Sequence, residues 1–217
     1  AFHLVVYAFL IVIAGITILN MPKPLEDLAM AWKTIKSKEM LFDLNAERYF
    51  VGGFSAGGHL AAMWGTENHG ARHFDIPNPE ALLLAYPLIG LENLAGPAAQ
   101  LLRTGLLGVN YAQEKLAEYT ASRQIGACYP PVYLVQAEDD DTVPKQDAAD
   151  METALNKAGI PHCMERVPAG GHGFGLGTAT AAGGWVSRAL SFAVDSAAYE
   201  IHARKERIDL WNCTQSK

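Results

Sequence analysis

The segment YFVGGFSAGGHLAAMW, residues 49–64, limits what this chain can fold into more than any other. A short apolar run from Tyr49 to Phe54 meets a lone serine, Ser55, set among Gly52, Gly53, Gly57 and Gly58. An apolar stretch of helical length then follows. Glycine is needed where φ is positive or where another stretch of backbone passes close. The pattern therefore predicts a strand, a sharp turn that holds the Ser55 hydroxyl up, and a helix packed tightly against the strand it leaves.

The rest of the chain repeats this alternation. Pro22 and Pro24 open a helix whose Leu25, Leu28, Trp32 and Ile35 recur at helical spacing. ALLLAYPLI at 81–89, PPVYLVQA at 130–137 and IPHCMERVP at 160–168 read as further strands. KQDAADMETALNKAG at 145–159 is an amphipathic helix stopped by Gly159, and GGWVSRALSFAVDSA at 183–197 is a closing helix. Apolar strands without alternation, interleaved with helices, mean a parallel sheet covered on both faces. Residues 1–217 read as a single domain with no repeat and no dividing linker. Within it, 90–127 forms either a cap over a pocket, with Leu101, Leu102, Leu106, Leu107 and Tyr111 as its apolar wall, or ordinary core helices.

Composition removes several classes of function. The 217 residues are 50% hydrophobic and 18% charged, with a net charge of −6, so the chain is globular and lacks the clustered Lys and Arg that nucleic acid requires. The basic cluster His202, Arg204, Lys205 and Arg207 is broken by acidic residues and reads as a solvated helix face. Cys128, Cys163 and Cys213 have neither disulfide-framework nor zinc spacing, which fits a reducing, cytoplasmic compartment with Cys163 as a buried thiol. The uncharged run at 4–19 falls short of the roughly 18–20 residues of a membrane helix, and its β-branched content predicts a buried strand instead.

The chemistry gathers at the strand ends. Gly53-Phe54-Ser55-Ala56-Gly57 fits G-x-S-x-G in the strand–turn–helix context that motif needs. A serine hydroxyl is a weak nucleophile until a base takes its proton, and the base is usually a histidine oriented by a carboxylate. After the strand at 130–137 come Glu138, Asp139, Asp140 and Asp141, any one of which could serve. After the strand at 160–168 comes AGGHGFGLG with His172, the natural base. Open parallel sheets place their sites at strand carboxyl ends, so all three pieces fall on one rim. His59, on the helix after the elbow, reads as a packed histidine. No metal-ligand spacing is present, and no cofactor is implied.

These pieces resemble the α/β-hydrolase superfamily, in particular its bacterial esterase/lipase-like, acetylxylan-esterase-related branch. The matching stretches are PKPLEDLAMAWKTI, RYFVGGFSAGGHLAA, AYPLI, VYLVQAEDDDTVP and GGHGFGL, in order over about residues 20–177. The resemblance implies a three-layer sandwich with a mostly parallel sheet and helices on both faces. It implies Ser55 as nucleophile, His172 as base and, three residues before the Val of D-x-x-V-P, Asp140 as the acid. It implies an oxyanion N–H from Ala56. The glycine-rich loop that supplies the other N–H in the family has no counterpart in residues 1–48, and the family's first strands are missing too, so the resemblance implies an incomplete chain. The expected activity is cleavage of short-chain carboxylic esters, acetyl or similar, with esters on sugars among the candidate substrates. The expected partner is a small-molecule ester, with no nucleic acid, no membrane and a homodimer left open. A prolyl-oligopeptidase-type peptidase and a non-catalytic binding protein are the alternatives.

Overall fold

The computed structural model describes residues 8–12, 21–95 and 97–198. The remainder of the 4–19 run, the cluster at 202–207 and Cys213 lie outside the described residues. Five strands form one sheet: β1 (Ala8–Val12), β2 (Tyr49–Phe54), β3 (Ala81–Ala85), β4 (Val132–Ala137) and β5 (His162–Val167). They lie side by side in chain order, and every pair is parallel. The crossovers carry helices α1 (Lys23–Lys36), α2 (Glu39–Phe42), α3 (Ala56–Trp64), α4 (Pro97–Leu107), α5 (Gln113–Glu118) and α6 (Lys145–Ala158). A last helix, α7, covers 185–198. Among the described residues no helix is long and apolar enough to cross a membrane.

The strand side chains alternate between two apolar layers, as the pleat requires. Val51, Leu82, Leu84, Val132 and Leu134 point to the layer built with α1, α3 and α6. Phe50, Leu83, Tyr133 and Val135 point to the other, which α7 closes with Trp185, Ala189 and Ala193 at four-residue spacing. Helix α1 buries Leu25, Leu28, Ala29 and Trp32 and carries Lys33 and Lys36 in its last turn, where cations complement the helix dipole. Helix α3 is buried from Gly57 to Trp64, which is why it is apolar all round except at His59. Helix α6 ends at Gly159, whose φ of 69° is the left-handed cap glycine provides cheaply.

Three expectations need correction. The third apolar run stops as a strand at Ala85, because Tyr86 turns to a φ of 38° and Pro87 has no N–H to offer a ladder. Strand β5 borders only β4 among the described strands. It is accordingly polar and half-exposed, with Glu165 and Arg166 in place of a continuous apolar run. Cys163 is half-buried, not buried. In the 90–127 segment, Leu102, Leu106, Leu107 and Tyr111 pack with the α3-side core; the side chain of Leu101 lies outside the described residues.

One buried carboxylate ties the start of that segment to α6. Asp147 Oδ2 accepts the N–H groups of Ile89 at 2.7 Å and Gly90 at 2.9 Å, and Asp147 Oδ1 accepts from Asn93 Nδ2 at 2.8 Å. Its side chain is fully buried, and Ile89 and Gly90 are buried with it. Replacing Asp147 with alanine strands two buried N–H groups. Denaturant unfolding should show a loss of roughly 2–4 kcal/mol; a change below about 0.5 kcal/mol, the size of an ordinary surface substitution, would contradict this account.

Candidate active site

Ser55 lies between β2 and α3 with φ 52° and ψ −118°. A non-glycine residue in such a region stores about 1–3 kcal/mol and persists only where the surroundings over-determine it. Here they do. The Ser55 N–H donates to Ala85 O at 3.0 Å, while Ser55 O accepts from His59 N and Leu88 N, both at 3.1 Å. Two glycines let the helix come this close. A Cβ on Gly53 would sit 2.1 Å from Gly57 O, and one on Gly58 would sit 2.6 Å from Pro87 Cβ. Any side chain at either position would push α3 off the sheet.

Parallel register brings the other two pieces to the same rim. Phe54 pairs with Ala85, Ala85 with Val135, and Ala137 with Val167, so β2, β3, β4 and β5 end together. From the end of β4 the chain enters the acidic run, and from the end of β5 the glycine loop. The structure brings three of the expected residues into contact. Ser55 Oγ stands 2.8 Å from His172 Nε2, and His172 Nδ1 stands 3.0 Å from Asp140 Oδ2. An ionised carboxylate can only accept, so Nδ1 carries the proton and donates it to Asp140. Nε2 is then left to accept from the serine hydroxyl. The Asp140 side chain is wholly buried and that of His172 is 18% exposed.

The local chain explains why Asp140, among four neighbouring acids, is the one that turns inward. Its Oδ1 accepts the N–H groups of Thr142 at 3.0 Å and Val143 at 2.9 Å, an Asx-type turn that fixes the carboxylate by its own backbone. Burial pushes the Asp140 carboxyl up, but the hydrogen bond from His172 and the Val143 and Thr142 N–H groups together outweigh it and hold the group below the usual carboxylate range. Glu138 pairs with Lys145 at the surface. Asp141 is exposed, with Thr142 Oγ1 donating to it at 3.2 Å.

His172 is flanked by Gly171 at φ 62° and Gly173 at φ 83°, left-handed positions that glycine fills without strain. His59 is a packed histidine. Burial pushes it below the usual imidazole range, and Nε2 donates to Tyr119 O at 2.7 Å. Ala56 N–H opens α3, where the first N–H groups have no acceptor within the helix. Among the described residues no group of three or more His, Cys, Asp or Glu could hold a metal ion.

Sequence reasoning missed the aromatic surround of His172. Tyr86 meets the His172 ring at 4.9 Å between centroids and Phe174 at 4.6 Å. Phe54 packs on both Tyr86 and Trp185 at 5.9 Å. The apolar run at 81–89 hid the signal, because Tyr86 follows the carboxyl end of β3 only once the strand is seen to stop at Ala85.

The depressed Asp140 carboxyl has a consequence for pH. A carboxyl held lower in the folded state than in the unfolded state stabilises the fold above its unfolded value of about 4 and loses that contribution as pH falls through its lower folded value. Unfolding free energies measured across this acid window should therefore fall more steeply for the natural chain than for Asp140→Asn. Equal slopes would mean the carboxylate is not held by these donors.

A model of the BD-FAE family matches residues 16–155, a span that includes Ser55 and Asp140 and ends before His172. The chain is 27% identical over 169 residues to endo-1,4-beta-xylanase B of Butyrivibrio fibrisolvens, a match covering 75% of this chain and 26% of that protein. It is 26% identical over 159 residues to an acetylxylan esterase of Xylanibacter ruminicola, covering 71% of this chain and 32% of that protein. The chain thus spans about a quarter to a third of the length of the curated relatives it matches. Among solved structures, the acetyl ester-xyloside bifunctional hydrolase of Caldicellulosiruptor lactoaceticus is similar with a TM-score of 0.66 and 26% identity, over 85% of this chain and 68% of that one. With the family model matching well over half its length and the overall fold similar to that hydrolase, the chain belongs to the BD-FAE family of α/β-hydrolases.

Proposed function

We propose that this chain hydrolyses carboxylic esters through a covalent acyl-serine intermediate. The observation that carries the reading is the unbroken hydrogen-bond path from Ser55 Oγ through His172 to a buried Asp140. In this mechanism Ser55 Oγ attacks the ester carbonyl carbon and His172 Nε2 takes its proton. Asp140 holds the ring in the Nδ1–H tautomer and faces the imidazolium that forms. The carbonyl oxygen becomes an oxyanion, and Ala56 N–H, at the positive end of α3, supplies one hydrogen bond to it. The tetrahedral intermediate collapses, the ester C–O bond breaks, and His172 returns the proton to the leaving alkoxide. Water then attacks the acyl-serine with His172 again as base, releasing the acid and restoring Ser55.

The substrate we propose is a short acyl ester, acetyl in particular, carried on a sugar. The names of two relatives, an acetylxylan esterase and an acetyl ester-xyloside hydrolase, support that class. The xylanase named first above is a protein of which this chain matches 26%, and the serine elbow supports ester rather than glycoside chemistry.

Turnover of p-nitrophenyl acetate and of acetylated xylan tests this. Ser55→Ala and His172→Ala should each lower kcat by about 10⁴-fold or more. Cleavage of a prolyl p-nitroanilide in preference to both esters would support the peptidase reading. A folded chain with no activity on any of them would support a binding protein.

A further inference from the structure

We propose that the acidic loop after β4 carries two carboxylates with separate tasks: Asp140 orients the His172 ring, and Asp139 holds the backbone that presents it. The inference rests on the reading of His172 as the base. Asp139 Oδ1 accepts two consecutive N–H groups, from Gly170 at 2.9 Å and Gly171 at 2.7 Å, immediately before His172. These hydrogen bonds to a charged acceptor are the strong kind. Among the described residues no Lys or Arg forms an ion pair with Asp139, so its charge is directed at these amides.

The glycine loop needs such an anchor. A Cβ placed on Gly171, Gly173 or Gly175 would meet nothing within 4 Å, so no neighbour crowds these three positions, whereas one on Gly170 would lie 3.3 Å from Phe174 Cδ1. Left-handed glycines give the loop its shape, and their freedom also makes it easy to deform. The far flank is tied to the turn after β3 and to α7. Gly175 N–H donates to Tyr86 Oη at 3.1 Å, and Trp185 Nε1 donates to Gly175 O at 2.9 Å. The near flank has Asp139. His172 is thus suspended between two hydrogen-bonded anchors.

Asp139 also precedes Asp140 in the chain. One anchor therefore locks the glycine loop to the same loop whose next residue meets His172 Nδ1. Sliding of the two loops past each other would break the Asp139 bridge and lengthen the 3.0 Å Asp140–His172 contact together. Asp139 acts through the backbone of His172 and touches no reacting atom; it is a positioning residue.

The test compares Asp139→Ala, Asp139→Asn and Asp140→Asn in the full chain. It reads p-nitrophenyl acetate kinetics, hydrogen–deuterium exchange of peptides covering 170–175, and the denaturation midpoint. Asp139→Ala should lower kcat by about 10- to 100-fold with KM within about twofold, the pattern of a misplaced base, and should speed exchange at 170–171. Asp139→Asn keeps an acceptor oxygen and should recover most of the lost kcat. Asp140→Asn should lower kcat while the 170–171 amides stay protected. Unchanged exchange in Asp139→Ala overturns the proposal, as does faster exchange with natural kcat, or equal impairment of the Ala and Asn variants. If the natural chain does not turn over the ester, the reading of His172 as base fails separately. Exchange at 170–171 then decides alone whether Asp139 holds the loop.

Discussion

The close approach of α3 to β2 is the constraint on which the site depends. It exists because Gly53 has no side chain to keep helix and strand apart, its would-be Cβ lying 2.1 Å from Gly57 O, and because Gly58 has none to meet Pro87. That approach forces the chain to reverse at one residue, and the residue is Ser55 at φ 52°. A loop could not hold so strained a backbone. Here Ser55 N and O are both engaged, by Ala85 on one side and by Leu88 and His59 on the other. The core on the α1, α3 and α6 side, with Trp64, Leu82 and Met151 fully buried, supplies the burial that keeps the turn closed.

Parallel register carries the effect outward. With β2 to β5 ending on one rim, the acid loop and the histidine loop emerge beside the elbow, and their own chemistry brings them together. Each loop solves a backbone problem before it presents a side chain. The Asp140 carboxylate is set by the N–H groups of Thr142 and Val143, and the His172 backbone by left-handed glycines on either side. The candidate site residues sit at turns and loops anchored to the sheet, the usual division in α/β proteins. Among the described residues, two of the four non-glycine residues with positive φ, Ser55 and Tyr86, lie at this site. Strain therefore collects where the hydrogen-bond path runs.

Much of this was legible because it is local. Strand β2 and helix α3 begin and end where the GGFSAGG pattern puts them, since glycine spacing and apolar length act within a dozen residues. The three strand ends follow from the same alternation, so Ser55, His172 and the acidic run could be placed on one rim before any coordinates. The choice of Asp140 within that run needed the family resemblance; the Asx-type turn supplies its physical reason. Partners distant in sequence stayed hidden. Tyr86 and Gly175 stand 89 positions apart, and the Asp139–Gly170 bridge spans 31; no periodicity encodes such pairs. The early end of β3 was also obscured, because the apolar run continues through Tyr86, Leu88 and Ile89 after the backbone has left the sheet. Burial there serves packing, Leu88 and Ile89 on the α3 side and Tyr86 on the α7 side.

The central claim is that Ser55 is an activated nucleophile. Its most direct test is reaction of the chain with a fluorophosphonate followed by peptide mass mapping. Such a probe phosphonylates a serine only where a base removes its proton. The account predicts a single adduct on Ser55 that is lost in His172→Ala. An adduct on another serine, or none on a folded chain, would contradict it.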